Sequence, residues 1–295
     1  MSVATADHSD LVARRGAGVA WMNRGHALMQ AGQVAAALAA YEEAITLLRP
    51  LAAATRPAWS NSLGAALMNR GALLHRVHGT SRADEAFAAF DEAAGLLRPL
   101  ATDNKHPWPR RNLAGTLLNR ANLLLDLRRH AGARNAAREA LGLAQPWEHR
   151  DVVDADVALK SRRALCDALG QLIVMPGAAQ DELAAEASDL VDDGLALIRH
   201  WSGQDRAGFQ PLAHRFFRYG VQLYRFHQPH FLAEFIQENR PLADPALRAI
   251  AIEVIDATLN DRPPAGSFLT VGDPATEHRR RTWTELAALR QRLAA

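Results

Sequence analysis

Between residues 63 and 74 the apolar positions fall at Leu63, Ala66, Leu67, Leu73 and Leu74. Spacings of three, four and seven residues predict one buried face of an α-helix. Between 36 and 50 the small residues Ala37, Ala40 and Ala44 sit beside Leu38, Tyr41, Ile45 and Leu48. That pattern predicts a second helix, whose small residues let two axes approach while the large ones fill the space to the next pair. Chain breakers fall between such segments. Gly32 divides the first pair, and His78, Gly79, Thr80 and Ser81 divide the second. Pro50 and Pro57, then Pro99 and Pro107, bracket the links from one pair to the next. No stretch alternates as a strand does, so the pattern predicts an all-α chain of antiparallel helix pairs.

The pairs repeat. "AWMNRGHAL" at 20–28, "ALMNRGALL" at 66–74 and "TLLNRANLL" at 116–124 align on Gly25, Gly71 and Ala121, with a fainter "ALKSRRALC" at 158–166. Downstream, "AALAAYEEAITLLRP" at 36–50 matches "EAFAAFDEAAGLLRP" at 85–99 and, more loosely, "GARNAAREALGLAQP" at 132–146.

These positions resemble the tetratricopeptide repeat. The family's motif places a large residue, then Asn, then Gly on one helix, and Ala, an aromatic, Ala and a closing Pro on the next. Here the first repeat reads Trp21, Asn23, Arg24, Gly25, Leu28, Gly32, Ala37, Tyr41, Ala44 and Pro50. The second reads Leu67, Asn69, Arg70, Gly71, Leu74, Ala86, Phe90, Ala93 and Pro99. The third keeps Leu117, Asn119, Arg120, Ala121, Leu124, Ala133, Ala137, Ala140 and Pro146. A fourth is degenerate (Leu159, Arg162, Arg163, Cys166, then Ala187, Val191, Gly194), and a fifth pair is expected to begin at 211–224, with Gly220 in the place of Gly71. The repeats recur after 46 and 50 residues, against about 34 for the family, which suggests lengthened first helices. The resemblance implies an α-α superhelix of stacked antiparallel helix pairs over 10–204, a tetratricopeptide-like solenoid. A helical C-terminal extension or cap follows over 205–295.

Each first helix carries Arg beside the Gly (Arg24, Arg70, Arg120, and Arg162 in the fourth repeat), and each second helix carries an acid at a matched place (Glu43, Glu92, Glu139, Asp193). Four cations and four anions in register suggest structural ion pairs, within a repeat or between neighbours. A buried guanidinium without a partner costs several kcal/mol, so Arg24, Arg70 and Arg120 are expected to be largely buried and hydrogen-bonded.

The resemblance implies that first helices line a concave groove where Asn contacts the backbone of an extended peptide. This nominates Asn23, Asn69 and Asn119. An Asn amide both donates and accepts, so it can satisfy a peptide bond without charge. Met22, His26, Met68, His75 and Asn122 lie one turn away on the same face. The groove positions are mostly Met, Ala and Leu, with Lys160 and Arg76 the only cations found among them. They lack the Lys and Arg set with which the family holds a C-terminal carboxylate, which favours an apolar or mixed peptide.

The last third differs in composition. Six of the nine Phe fall between 209 and 235: Phe209, Phe216, Phe217, Phe226, Phe231 and Phe235. A repeat array needs an end that covers its last apolar face, and aromatic-rich helices fit that role. The same surface leaves self-association open. His227, His230 and Glu234, with Glu238, are the candidates for a metal site, but Pro229 separates the two His and no second motif supports them.

Composition narrows the function classes. The 295-residue chain is 48% hydrophobic and 22% charged with a net charge of +2, so no global field draws it to nucleic acid or anionic lipid. Arg-rich sites at 110–111, 128–129 and 279–281 lack interleaved aromatics, so a nucleic-acid-associated regulator is the weaker reading. One cysteine, Cys166, permits no intramolecular disulfide. The N-terminus shows no signal-like apolar core, and no run approaches the ~18 apolar residues of a membrane span, so a cytoplasmic setting is expected. There is no phosphate loop, Ser elbow or paired Cys ligands, and no cofactor is expected. The sequence therefore favours a scaffold that binds a protein or peptide. The alternative is an enzyme or enzyme subunit with a His/Glu site in the C-terminal helices.

Overall fold

The computed structural model describes residues 8–52, 57–102, 106–173, 175, 179–202 and 274–294, with isolated positions between 236 and 256. The described residues are helical, with no strand among them. The chain divides into two compact parts, residues 1–147 and 148–295.

The first part holds three helix pairs. Helix α1 (His8–Gln30) packs on α2 (Val34–Ala52), α3 (Pro57–His78) on α4 (Ala83–Leu97), and α5 (Pro107–Asp126) on α6 (His130–Ala144). Within the first two pairs the crossing is set by glycine against a large side chain. A Cβ on Gly25 would lie 2.7 Å from the Tyr41 ring, and one on Gly71 2.7 Å from the Phe90 ring. Seven residues earlier the device is repeated: Gly18 faces Leu48 and Gly64 faces Leu97, again at 2.7 Å. Seven residues are two helical turns, so both contacts fall on one face. In the third pair all four equivalent places hold alanine, Ala121 and Ala137, Ala114 and Ala144, each at most 1% exposed. The glycine's missing volume and the partner's excess volume disappear together.

The turns within pairs share a left-handed residue. Gly32 has φ 73° and Gly79 φ 55°, conformations free of penalty only for glycine, yet the third turn places Arg128 there at φ 57°. Between pairs, Leu74, Ala86, Phe90 and Leu123 form one buried cluster that joins the second pair to the third. Ala37, Tyr41 and Leu73 join the first to the second.

In the second part, α7 (Val152–Ile173) packs on α8 (Gln180–Ser202), the fourth pair of the sequence repeat. Cys166 is buried, its thiol 3.9 Å from the Ala187 carbonyl. Helix α9 (Pro274–Ala294) buries Leu286, Leu289 and Leu293. The aromatic-rich segment from Phe209 to Phe235 lies outside the described residues, as do His227, His230, Glu234 and Glu238.

Candidate functional site

Helices α1, α3 and α5 each turn one stripe away from their partners, and the stripes align residue for residue. From one end to the other the rows are Val12, Ala58 and Trp108; Arg15, Asn61 and Arg111; and Val19, Ala65 and Gly115. They continue with Asn23, Asn69 and Asn119; His26, Ala72 and Asn122; and Gln30, Arg76 and Asp126. All but Ala65 are exposed or half-buried, and Trp108 is 60% exposed. Stepping three or four residues at a time keeps each stripe on one side of its helix.

The first helices are tied side by side by polar contacts between these stripes. Arg15 Nε donates to Ser62 Oγ at 3.4 Å, and Asn112 Nδ2 to Asn61 Oδ1 at 3.0 Å. At the other end of the helices the His75 ring is bonded to Asp126 at 2.7 Å. Between them Met68 covers Gly115, where a Cβ would lie 3.2 Å from its sulfur.

The nominated site residues therefore separate into two sets. Asn23 and Asn122 are exposed and Asn69 and Asn119 half-buried, and none of the four side chains is hydrogen-bonded to another described residue. His26 is exposed and bonded to Gln30 at 3.0 Å. By contrast, Met22 packs against the Ala37, Tyr41 and Leu73 cluster, Met68 is a wedge between helices, and His75 is engaged by Asp126. The stripe also contains Arg15 and Trp108, which the sequence did not single out, and Arg111, read from the sequence only as part of an Arg-rich site. The Arg111 guanidinium lies 5.6 Å over the Trp108 ring.

The ion pairs differ from the expected ones. Arg70 reaches Glu42 at 3.4 Å and Glu85 at 3.5 Å, and Arg120 reaches Asp91 at 2.9 Å. Both are half-buried rather than largely buried, and Arg24 is exposed, its guanidinium 4.9 Å from the Trp21 ring. The nominated acids look the other way. Glu92 binds Arg49 and Glu139 binds Arg98, each through two hydrogen bonds. Successive residues on a helix point about 100° apart. Hence Asp91 faces the first helix of the next pair while Glu92 faces the second helix of the preceding one. Glu43, which has no preceding pair, is exposed and makes no ion pair among the described residues. Arg162, for which no burial was expected, is 1% exposed and takes a carboxylate from outside its row. It makes bonds of 2.6 and 3.0 Å to Glu148 and lies 3.9 Å from Asp193.

Titration behaviour adds little chemistry. Burial pushes the Tyr41 phenol up, with the nearby Arg76 charge opposing it. Burial pushes the Cys166 thiol up to about 12, against the direction a nucleophilic cysteine requires. No group of three or more His, Cys, Asp or Glu placed to hold a metal ion occurs among the described residues. No helix among them is long and apolar enough to cross a membrane.

Helix pairs crossing at Gly25 and Gly71, stacked so that their first helices share an unpartnered polar stripe, define a helical-repeat protein of the tetratricopeptide-like class. The assignment is specific at the first pair, where the family model described as Tetratricopeptide repeat matches residues 19–47, from the second half of α1 into α2. A search of the curated proteins returned no match.

Proposed function

We propose that the chain is a scaffold whose open stripe on α1, α3 and α5 binds a peptide segment of a partner protein. Tetratricopeptide repeats are protein-interaction modules, and the first helix pair carries that repeat. The observation that carries the reading is the row Asn23, Asn69 and Asn119: three amides at equivalent places, reachable by solvent and bonded to no other described side chain or backbone group. The structural work expected of such residues is done elsewhere, by the Asn61–Asn112 bond. An uncommitted amide offers a peptide unit one donor and one acceptor at once. Arg70 and Arg120 hold the row by fixing each first helix to the second helix of the preceding pair.

The test is selection from a random peptide display library against the full chain, followed by titration calorimetry of the recovered peptides. Recovered peptides should bind the native protein and lose at least about tenfold in affinity, about 1.4 kcal/mol, on the triple change Asn23→Ala, Asn69→Ala and Asn119→Ala. Peptides indifferent to the triple change would place recognition elsewhere on the molecule. A library that yields no binder refutes the reading.

A further inference from the structure

We propose that the outer edge of the first helix pair, formed by α1 and α2, is an interface between two copies of this chain, with Arg24 of each copy paired to Glu43 of the other. This edge is separate from the open stripe, and the proposal does not rest on the peptide-binding reading. It starts from two charges whose counterparts in the later pairs are all satisfied. In the second and third pairs the first-helix Arg reaches back to the preceding pair, Arg70 to Glu42 and Arg120 to Asp91. The second-helix acid does the same, Glu92 to Arg49 and Glu139 to Arg98. Arg24 and Glu43 hold those two places in the first pair, and no helix pair precedes it among the described residues. Both are exposed, and neither makes an ion pair among the described residues. Arg24 stacks on the Trp21 ring at 4.9 Å, which leaves the in-plane N–H donors of its guanidinium for a carboxylate.

The occupant that satisfies both charges is a second copy, turned about a twofold axis parallel to the helices. The crossings fix the levels. Gly25 lies against Tyr41 and Gly18 against Leu48, so α1 and α2 run antiparallel with Gly25 and Tyr41 abreast. At about 1.5 Å per residue, Arg24 lies about 1.5 Å to one side of that level and Glu43 about 3 Å to the same side. The two charges therefore stand within about 1.5 Å of one height, and an axis along the helices leaves heights unchanged. The rotation lays α1 of one copy antiparallel on α2 of the other and makes both Arg–Glu contacts at once, as an isologous interface requires. Close approach is sterically open. On the side of Arg24, α1 exposes Ala13, Ala17, Ala20 and Ala27, where α3 buries Trp59, Leu63, Ala66 and Leu73. Leu47, half-buried and one turn after Glu43, comes level with the space between Ala17 and Ala20 of the other copy. Head-to-tail stacking on the third pair satisfies neither charge, because Arg138 and Gln145 hold the places that would meet Arg24 and Glu43. The 19 residues of α2 span about 28 Å, and two packed helices are about 20 Å across. Each copy thus covers on the order of 500 Å², and the total near 1,000 Å² is the low end for a specific interface.

The experiment is sedimentation equilibrium of the full chain from about 1 to about 200 µM, the weak range that so small an area implies. The native chain should show a monomer–dimer equilibrium. Arg24→Glu and Glu43→Arg each bring like charges together at both contacts, and each should weaken the dimer at least about tenfold, about 1.4 kcal/mol. Mixed in equal amounts, the two variants should recover the native affinity, since one copy then supplies only acids and the other only cations. The double variant Arg24→Glu, Glu43→Arg should recover it alone. Both side chains are exposed, and circular dichroism checks that each variant keeps its helix content. A chain that stays monomeric throughout overturns the proposal. So does a dimer indifferent to both single changes, or a mixture that does not recover association.

Discussion

Replacing Gly71 with alanine tests the packing device on which the array rests. The new Cβ would sit 2.7 Å from Phe90 Cε1, 3.0 Å from Cδ1 and 3.1 Å from Cζ, where ordinary contact begins near 3.4 Å. The ring must therefore withdraw by about 0.7 Å, the difference between 3.4 and 2.7 Å. It has little room, because Phe90 is 0% exposed and enclosed by Leu74, Ala86 and Leu123. Overpacking of this kind costs about 1–3 kcal/mol. Alanine's better helix propensity returns about 1 kcal/mol, leaving a net loss of up to about 2. The sharper quantity is the coupling. Phe90→Ala alone should cost about 3–5 kcal/mol. In that background the clash is gone, so Gly71→Ala should stabilise by about 1 kcal/mol. The double-mutant cycle should thus give a coupling of about 1–3 kcal/mol, reproducing the alanine pair that Ala121 and Ala137 form in the third repeat. The chain has two compact parts, so urea unfolding should be read together with hydrogen exchange of α3 and α4 amides, which isolates this pair. Gly16→Ala is the control: its Cβ would meet nothing within 4 Å, and it should stabilise by about 0.5–1 kcal/mol. Additivity of Gly71→Ala and Phe90→Ala to within about 0.5 kcal/mol would refute the volume-exchange argument.

Two arginines separate buried from exposed pairing. Arg162→Met leaves Glu148 buried without its cation and should cost about 3–5 kcal/mol. The Arg98–Glu139 cycle, with side chains 54% and 42% exposed, should show about 0.2–1 kcal/mol and shrink further in salt. Both are measured by urea unfolding. Arg128→Gly should stabilise by about 1 kcal/mol in the same assay, since φ 57° disfavours any residue with a Cβ. Cys166, its thiol pushed up to about 12 by burial, should react with a disulfide reagent at pH 8 only as fast as the protein opens. The sign for stability follows from the same shift. The folded state holds the proton more tightly than the unfolded one, so this contribution is complete below the unfolded pKa of about 8.5 and is lost as pH rises through about 12.

Much of the fold was legible because repetition marks equivalent positions. Gly25, Gly71 and Ala121 stand at matching crossings, and Asn23, Asn69 and Asn119 form a row on the unpartnered stripe. The second crossing, Gly18 and Gly64 against Leu48 and Leu97, was equally present as a Gly-x6-Gly spacing matched by Tyr41-x6-Leu48 and Phe90-x6-Leu97. What repetition does not supply is the phase between neighbouring helices. One residue shifts a side chain by about 100°, enough to send Glu92 to Arg49 and leave Asp91 for Arg120. The same lack of phase concealed Met68 as the filler over Gly115. It likewise left Arg15 and Arg111 off the stripe, because arginines at a helix start look like ordinary solvated charge until the register with Asn61 and Asn112 is known.

Position within the array, more than residue type, decides what each charge does. The Arg of the first helix stacks on Trp21 in the first pair, where no earlier second helix exists to offer an acid. In the second and third pairs it finds Glu42 and Asp91. At the place of those two acids the third pair holds Arg138, and at the place of Arg49 and Arg98 it holds Gln145. Both rows of ion pairs therefore lose their continuing partner at the last pair of the first part, whose boundary lies at Trp147 and Glu148. In the second part, Arg162 takes Glu148, that part's first residue, whose carbonyl also accepts the Trp201 indole N–H at 2.8 Å. The surface pairs of the first part, two in each row, thus contrast with a single desolvated pair within the second. Loss of that pair would expose the second part alone, and hydrogen exchange after Arg162→Met should rise in α7 and α8 while α3 and α4 keep their protection.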